Sequence, residues 1–284
     1  MTVVSAIIQG VIQGVTEFLP ISSSGHLSLY QYFTKKTIDN GLLFQVILHF
    51  GTLLAIFIVY RKTIIELFFE IFKAIGDVFK GRFKQNINKP SRRMLIMLVI
   101  ACLPLFITYI FIDFYQEMAS NANLIIKGIC FLITALILFL ADKCVKGTKE
   151  ERNMKYRDSI SIGTVQALLA TLPGVSRSGA TISTGLLAGL SKEMAVKFSF
   201  LLGIPTILGG CIFEISEAVS ELKTINLTPI IIGFIVSAIV GYFCIKLVYW
   251  IVKSDNFKVF TYYTGILGTI VIVIGVIEKF TKIF

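Results

Sequence analysis

Six apolar runs, each near the length of a bilayer-crossing helix, dictate what this chain can become: 43–60, 94–112, 124–141, 198–213, 229–251 and 260–277. A helix rises 1.5 Å per residue, so roughly 20 apolar residues cross the roughly 30 Å hydrocarbon core. Tyr60, Tyr109, Tyr249, Trp250, Tyr262 and Tyr263 lie near run ends, as an interfacial aromatic belt requires. Of the 284 residues, 55% are hydrophobic and only 15% charged, against about a quarter charged in a soluble domain. The chain therefore has too few polar side chains to cover a soluble globule. A cytosolic enzyme, a disordered chain and a secreted disulfide scaffold are all excluded.

The net charge of +10 would suit a nucleic-acid binder, but the basic residues sit between the apolar runs. That is how a membrane protein marks its cytoplasmic side, and no nucleic-acid partner is expected. Segment 61–93 carries Arg61, Lys62, Lys73, Lys80, Arg82, Lys84, Lys89, Arg92 and Arg93; segment 142–158 is also rich in Lys and Arg. Segment 113–123 has no basic residue and 214–228 only Lys223. Alternating six spans then puts 61–93, 142–158 and 252–259 in the cytoplasm, with both termini, 113–123 and 214–228 outside. Lys35 and Lys36 are a mild exception. The first ten residues lack Lys and Arg, so no secretory leader is expected. Cys102, Cys130, Cys144, Cys211 and Cys244 have no metal-ligand spacing and read as small core hydrophobes. Glu66, Glu70, Lys73, Asp77 and Lys80 draw a narrow polar stripe along 64–80, expected to lie as a helix in the cytoplasmic interface.

Two further apolar runs are too short to cross. Residues 3–19 end at Pro20 and Ser22-Ser23-Ser24-Gly25; residues 160–172 end at Pro173-Gly174 and Ser176-Arg177-Ser178-Gly179. A short helix, a polar turn and a second short helix read as a re-entrant hairpin, tolerable in lipid only where protein or a wet cavity surrounds the turn. The two segments also match each other. At an offset of 153, Gly10, Gln13, Leu19, Pro20 and Ser23 meet Gly163, Gln166, Leu172, Pro173 and Ser176. One residue more brings Phe44 and Thr52 onto Phe198 and Thr206. The charge count makes the first hairpin enter from outside and the second from inside. The expected architecture is an all-α membrane protein, a single domain 1–284 with six spans and two re-entrant hairpins. Its halves 1–141 and 158–284 form an inverted repeat joined by 142–157, with the site where the tips meet.

Ionisable groups inside apolar segments are costly and functional by default. Glu17 lies deep in the first hairpin, one turn after Gln13, so the two share a helix face. His26 follows the triple serine. His49, inside the first full span, reads as a site residue or as a helix-to-helix hydrogen bond. Arg177, among Ser176, Ser178 and Thr181 at a helix start, has the makings of an anion site, with phosphate the expected anion. An Arg177–Glu17 salt bridge is the plainer alternative, and both hold together in an empty site. The second copy has Ala170 opposite Glu17 and Gly179 opposite His26. One tip thus moves protons, attacks or binds metal while the other holds charge, which suits phosphoryl hydrolysis better than symmetric transport.

The stretches Gln13-Gly-Val-Thr-Glu17-Phe-Leu-Pro-Ile-Ser-Ser-Ser-Gly-His26 and Leu172-Pro-Gly-Val-Ser-Arg-Ser-Gly-Ala-Thr181 resemble the two signature motifs of bacterial undecaprenyl-diphosphate phosphatases, also called bacitracin-resistance proteins. The resemblance implies a plasma-membrane enzyme that removes the terminal phosphate of undecaprenyl diphosphate, regenerating the lipid carrier of peptidoglycan synthesis. It implies a divalent cation, Mg²⁺ or Ca²⁺, and a pocket opening to the outer face. Position by position it carries over Glu17, Ser23, His26 and Arg177 as catalytic, and Ser176, Arg177 and Thr181 as the phosphate-holding set, with Ser178 beside them and Ser22 as a supporting donor. One position departs: many members carry Glu where this chain has Gln13, whose amide oxygen can ligate a hard cation beside Glu17 but brings no charge. Ser23, a water or His26 is the nucleophile in this reading, with His26 otherwise moving the proton. The polyprenyl substrate and membrane lipids are the implied partners, and a homodimer is left open. A lipid transporter or flippase, or a sequestering binder, is the alternative use of the same scaffold.

Overall fold

A computed structural model describes residues 2–34, 41–120, 122–144, 147–220, 226–254 and 256–281. Lys35, Lys36 and Lys223 of the charge count lie outside them. The described residues form α1 (Val3–Thr16), α2 (Ser23–Thr34), α3 (Gly41–Val59), α4 (Arg61–Phe79), α5 (Phe83–Asn86), α6 (Pro90–Cys102) and α7 (Leu105–Ile110). Then follow α8 (Ile112–Ser120), α9 (Leu124–Asp142), α10 (Tyr156–Leu169), α11 (Arg177–Leu187), α12 (Lys192–Ser220), α13 (Leu227–Lys253) and α14 (Lys258–Thr281). No strand occurs among them, only an isolated bridge between Lys149 and Leu190.

The six stretches long and apolar enough to cross a membrane are Leu42–Val59, Pro90–Thr108, Leu124–Asp142, Lys192–Ile212, Leu227–Lys253 and Lys258–Thr281. They coincide with the six runs of the sequence, and the chain is a multi-pass α-helical membrane protein. The second is not one smooth helix. It breaks between Cys102 and Leu105 because Pro104 has no N–H to donate and its ring crowds the preceding turn. Segment 113–123, expected as a plain loop, is largely the short helix α8.

The two short runs form helix pairs, α1–α2 and α10–α11. Thr2 caps α1 through Ser5 N, at 3.3 Å, and α1 stops before Pro20. Ser22, at φ +77°, turns the chain. It then caps α2 by accepting from Gly25 N at 3.1 Å. Ser176 caps α11 in the same way, accepting from Gly179 N at 3.0 Å.

Glycine lets the helices approach closely. A Cβ on Gly14 of α1 would lie 2.8–2.9 Å from Val240, Gly241 and Ser237 of α13. One on Gly128 of α9 would lie 2.7 Å from the Gly268 carbonyl of α14. Such small-residue seams are how helices associate where lipid removes the hydrophobic drive. Helix neighbours repeat under exchange of the two halves. α1 packs on α13 as α10 packs on α6, and α3 packs on α13 as α12 packs on α6. The pairs α3–α12 and α9–α14 map onto themselves.

The residues of the polar stripe lie on a helix, α4, as expected, and its charges divide between the bundle and the surface. Glu70 is buried and, with Asp77, bonds Arg92 of α6, so part of the polar stripe points inward. Phe68, Phe69, Phe72 and Phe79 are exposed instead.

Candidate active site

The two turns meet. Ser178 Oγ donates to the Leu19 carbonyl at 3.3 Å, and Gly179 packs so close to Pro20 that an added Cβ would sit 3.2 Å from its carbonyl oxygen. The depth of the meeting follows from its neighbours. Ser176 N donates to Thr134 Oγ1 at 3.1 Å, and Thr134 stands near the middle of α9. His49, at the same site, stands near the middle of α3.

Glu17 is the hub. Its Oε1 accepts from Arg177 Nη2 at 2.8 Å. Its Oε2 accepts from Ser23 Oγ at 2.8 Å and from Gln13 Nε2 at 3.1 Å. The same Gln13 amide donates to His49 Nδ1 at 2.9 Å, which leaves the proton of a neutral His49 ring on Nε2. His49 Nδ1 lies 3.7 Å from Glu17 Oε2. A buried carboxylate with a guanidinium and two further donors is compensated for its lost hydration.

Arg177 fits because of a missing side chain on α12. A Cβ on Gly203 would stand 2.6 Å from Arg177 Nη1. Arg177 Nη1 also donates to the Ser199 carbonyl at 3.4 Å, and Ser199 Oγ hydrogen-bonds Thr181 Oγ1 at 2.6 Å. The offset of 154 that pairs Thr52 with Thr206 sets Gly203 opposite His49 and Ser199 opposite Gln45. What is an imidazole in one half is therefore the space for a guanidinium in the other. That alignment is the signal by which the sequence could have revealed Gly203 and Ser199.

A cavity of about 190 Å³ opens over these groups. Glu17, Ser23, Ser176, Arg177 and Ser178 line it, as expected from the sequence. Ser24 and Thr206 also line it and were not singled out, and His49 does so after being left open. Ser176–Ser178 begin α11, so the positive end of that helix faces the cavity.

Four expected residues lie off the cavity lining: Gln13, fully buried with its amide nitrogen on Glu17 and His49, and Ser22, Thr181 and His26. Ser22 is buried and occupied in capping α2. Thr181 is buried behind the guanidinium, bonded to Ser199. His26 is turned from the cavity: its Nδ1 donates to the Ser22 carbonyl at 2.7 Å. Its Nε2, in the neutral ring, accepts from Tyr263 O–H at 2.7 Å. The imidazole stacks on Tyr263 and meets the edge of Phe131. Its sequence neighbourhood alone pointed into the site; tertiary contacts with α9 and α14 hold it in another direction.

Among the described residues no group of three or more His, Cys, Asp or Glu forms a metal cage. The donors for a cation are Glu17 and Gln13, whose Oε1 is buried without a hydrogen-bond partner. One carboxylate and one amide oxygen fit a hard cation that completes its shell with phosphate and water, once the Gln13 amide turns its oxygen instead of its nitrogen toward Glu17.

Fold and site together define a multi-pass membrane protein with a buried, ion-paired polar centre built where two helix pairs touch. Within that class the chain belongs to the bacitracin resistance protein BacA family, whose model matches residues 6–270. It is similar to the undecaprenyl-diphosphatase of Alkaliphilus metalliredigens, 37% identical over 98% of this chain and 100% of that protein. The undecaprenyl-diphosphatase of Methanobrevibacter smithii is 35% identical over 95% and 97%. Undecaprenyl-diphosphatase 4 of Bacillus thuringiensis strain Al Hakam is 35% identical over 100% of both.

Proposed function

We propose that this chain hydrolyses undecaprenyl diphosphate to undecaprenyl phosphate and inorganic phosphate in the bacterial plasma membrane, returning the lipid carrier to peptidoglycan synthesis and conferring bacitracin resistance. The observation that carries the reading is Glu17, which holds Arg177 on one oxygen and the Ser23 hydroxyl on the other.

The diphosphate competes with Glu17 for the guanidinium and settles among Arg177, Ser176, Ser178 and the start of α11. Ser23 Oγ attacks the terminal phosphorus while its proton passes to Glu17. The bridging P–O bond breaks, undecaprenyl phosphate leaves with the electron pair, and a phosphoserine remains. Water then attacks that phosphorus and the Ser23 Oγ–P bond breaks: Ser23 Oγ takes back its proton from Glu17, and both protons of the water leave with inorganic phosphate as dihydrogen phosphate. A divalent cation held by Glu17 and the free oxygen of Gln13 would supply positive charge against the phosphate oxygens. Ser22 and His26 act as positioning residues, the imidazole clamping the carbonyl of the strained turn before Ser23. Thr181 holds the segment behind Arg177.

The helix pairs are re-entrant hairpins of an inverted repeat, with halves 1–141 and 158–284. The contact pattern that survives exchange of the halves supports this. The cavity opens outward: its lining climbs α12 from Arg177 at Gly203 to Gly210 and Cys211, toward the end of α12 that the charge count puts outside. The experiment is phosphate release from undecaprenyl diphosphate with Mg²⁺ by purified protein. Ser23→Ala and Arg177→Ala are each expected to lose at least about 10³-fold. Wild-type protein that binds the lipid without liberating phosphate would make it a carrier or binder instead.

A further inference from the structure

We propose that a groove between the α3–α4 junction and α13 binds the headgroup of an anionic phospholipid from the cytoplasmic leaflet. The groove holds about 400 Å³, more than the catalytic cavity, and is lined by Ile58, Tyr60, Arg61, Lys62, Tyr242 and Lys246 among others. Three cations therefore converge on one recess. None of the three makes an ion pair with an acid among the described residues. Lys246 instead lies over the Tyr242 ring, 4.1 Å from its centroid, and donates to the phenol oxygen.

The level of the groove identifies the ligand class. α3 and α13 run side by side in the same direction, since Gly233 packs on Phe44 and Gly241 packs near Ala55. Lys246 is therefore level with the end of α3 and the start of α4. It lies about 10 Å above Lys253, the end of α13. The basic segment 61–93 and the aromatic pair Tyr249-Trp250 put this end at the cytoplasmic interface. A cation at that depth without an acid is costly unless an anion or water meets it. Above the groove Leu54, Phe57 and Phe243 are exposed and apolar, and Ile58 and Leu247 are exposed at its level, a surface along which acyl chains can lie. Positive charge below a greasy wall matches a lipid phosphate better than a soluble anion. Glu17 and Arg177 have no part in it.

Native mass spectrometry of the detergent-purified chain, offered equal amounts of phosphatidylglycerol and phosphatidylcholine, tests this. The wild type is expected to retain phosphatidylglycerol about tenfold better. The double variant Arg61→Gln/Lys246→Gln is expected to lose that preference while keeping its thermal midpoint. Lys246→Gln alone is read if the double variant is not recovered, with the preference reduced. No preference in the wild type, or an unchanged preference in the variants, overturns the proposal. Displacement of the lipid by an equal concentration of inorganic phosphate also overturns it, in favour of a soluble-anion site.

Discussion

At Gly203 the lack of a side chain is what admits a guanidinium. Gly203→Ala puts a methyl group 2.6 Å from Arg177 Nη1, and backbone on a packed helix cannot give way as a flexible side chain would. The guanidinium is pushed off Glu17, so kcat/KM for phosphate release is expected to fall at least about tenfold, with elution and thermal midpoint nearly unchanged. Wild-type kinetics would show that Arg177 is not held by this fit. Gln13 invites the opposite experiment. Its amide joins Glu17 to His49, and Gln13→Glu replaces that donor with a second carboxylate. Activity is expected to persist with a steeper dependence on Mg²⁺, because two like charges gain more from a cation than one. A titration of phosphate release against Mg²⁺ reads this; complete inactivity would mean the site is tuned to a neutral side chain.

At the scale of elements, α4 is tied to the bundle by Arg92. That side chain is almost fully buried, bonding Glu70 and, at 2.8 Å, Asp77. Phe83 stacks over the guanidinium at 5.2 Å. Removing one member of a buried pair leaves the other charged and uncompensated, at about 3–5 kcal/mol. Arg92→Ala is therefore expected to lower the unfolding midpoint in detergent sharply, while phosphate release measured well below that midpoint changes little. A midpoint equal to wild type would show that α4 is held by lipid rather than by this tie. The stripe of charges on α4 was visible as a periodicity. Which charges turn inward was not, because the partner lies on another helix.

For the whole molecule, the direction of each half is the physical question. Single cysteines at Asn88→Cys and Asn226→Cys, in a background with the five native cysteines replaced by alanine, report it. A membrane-impermeant maleimide added to intact cells is expected to label position 226 and spare position 88 until the membrane is opened. The reverse pattern would invert the topology, and equal labelling would remove the charge-based assignment. The outward cavity stands on the same orientation, so one experiment tests both.

Span number and approximate position were legible because a bilayer imposes a length and a polarity on each segment separately, with no need to know its neighbours; the limits were not, since the second span runs Pro90–Thr108 and the fourth starts at Lys192. The motif serines, Glu17 and Arg177 were legible because polar groups in apolar segments announce themselves one at a time. The pairing of Arg177 with a carboxylate 160 residues earlier was only an option until the turns were seen to touch. Likewise His49 faces the cavity and His26 does not, a choice made by Gln13, Tyr263 and Phe131 from three different helices. A ring nitrogen is satisfied by whatever group the packing brings within about 3 Å, and packing between helices is a property of the assembled bundle that no single segment contains.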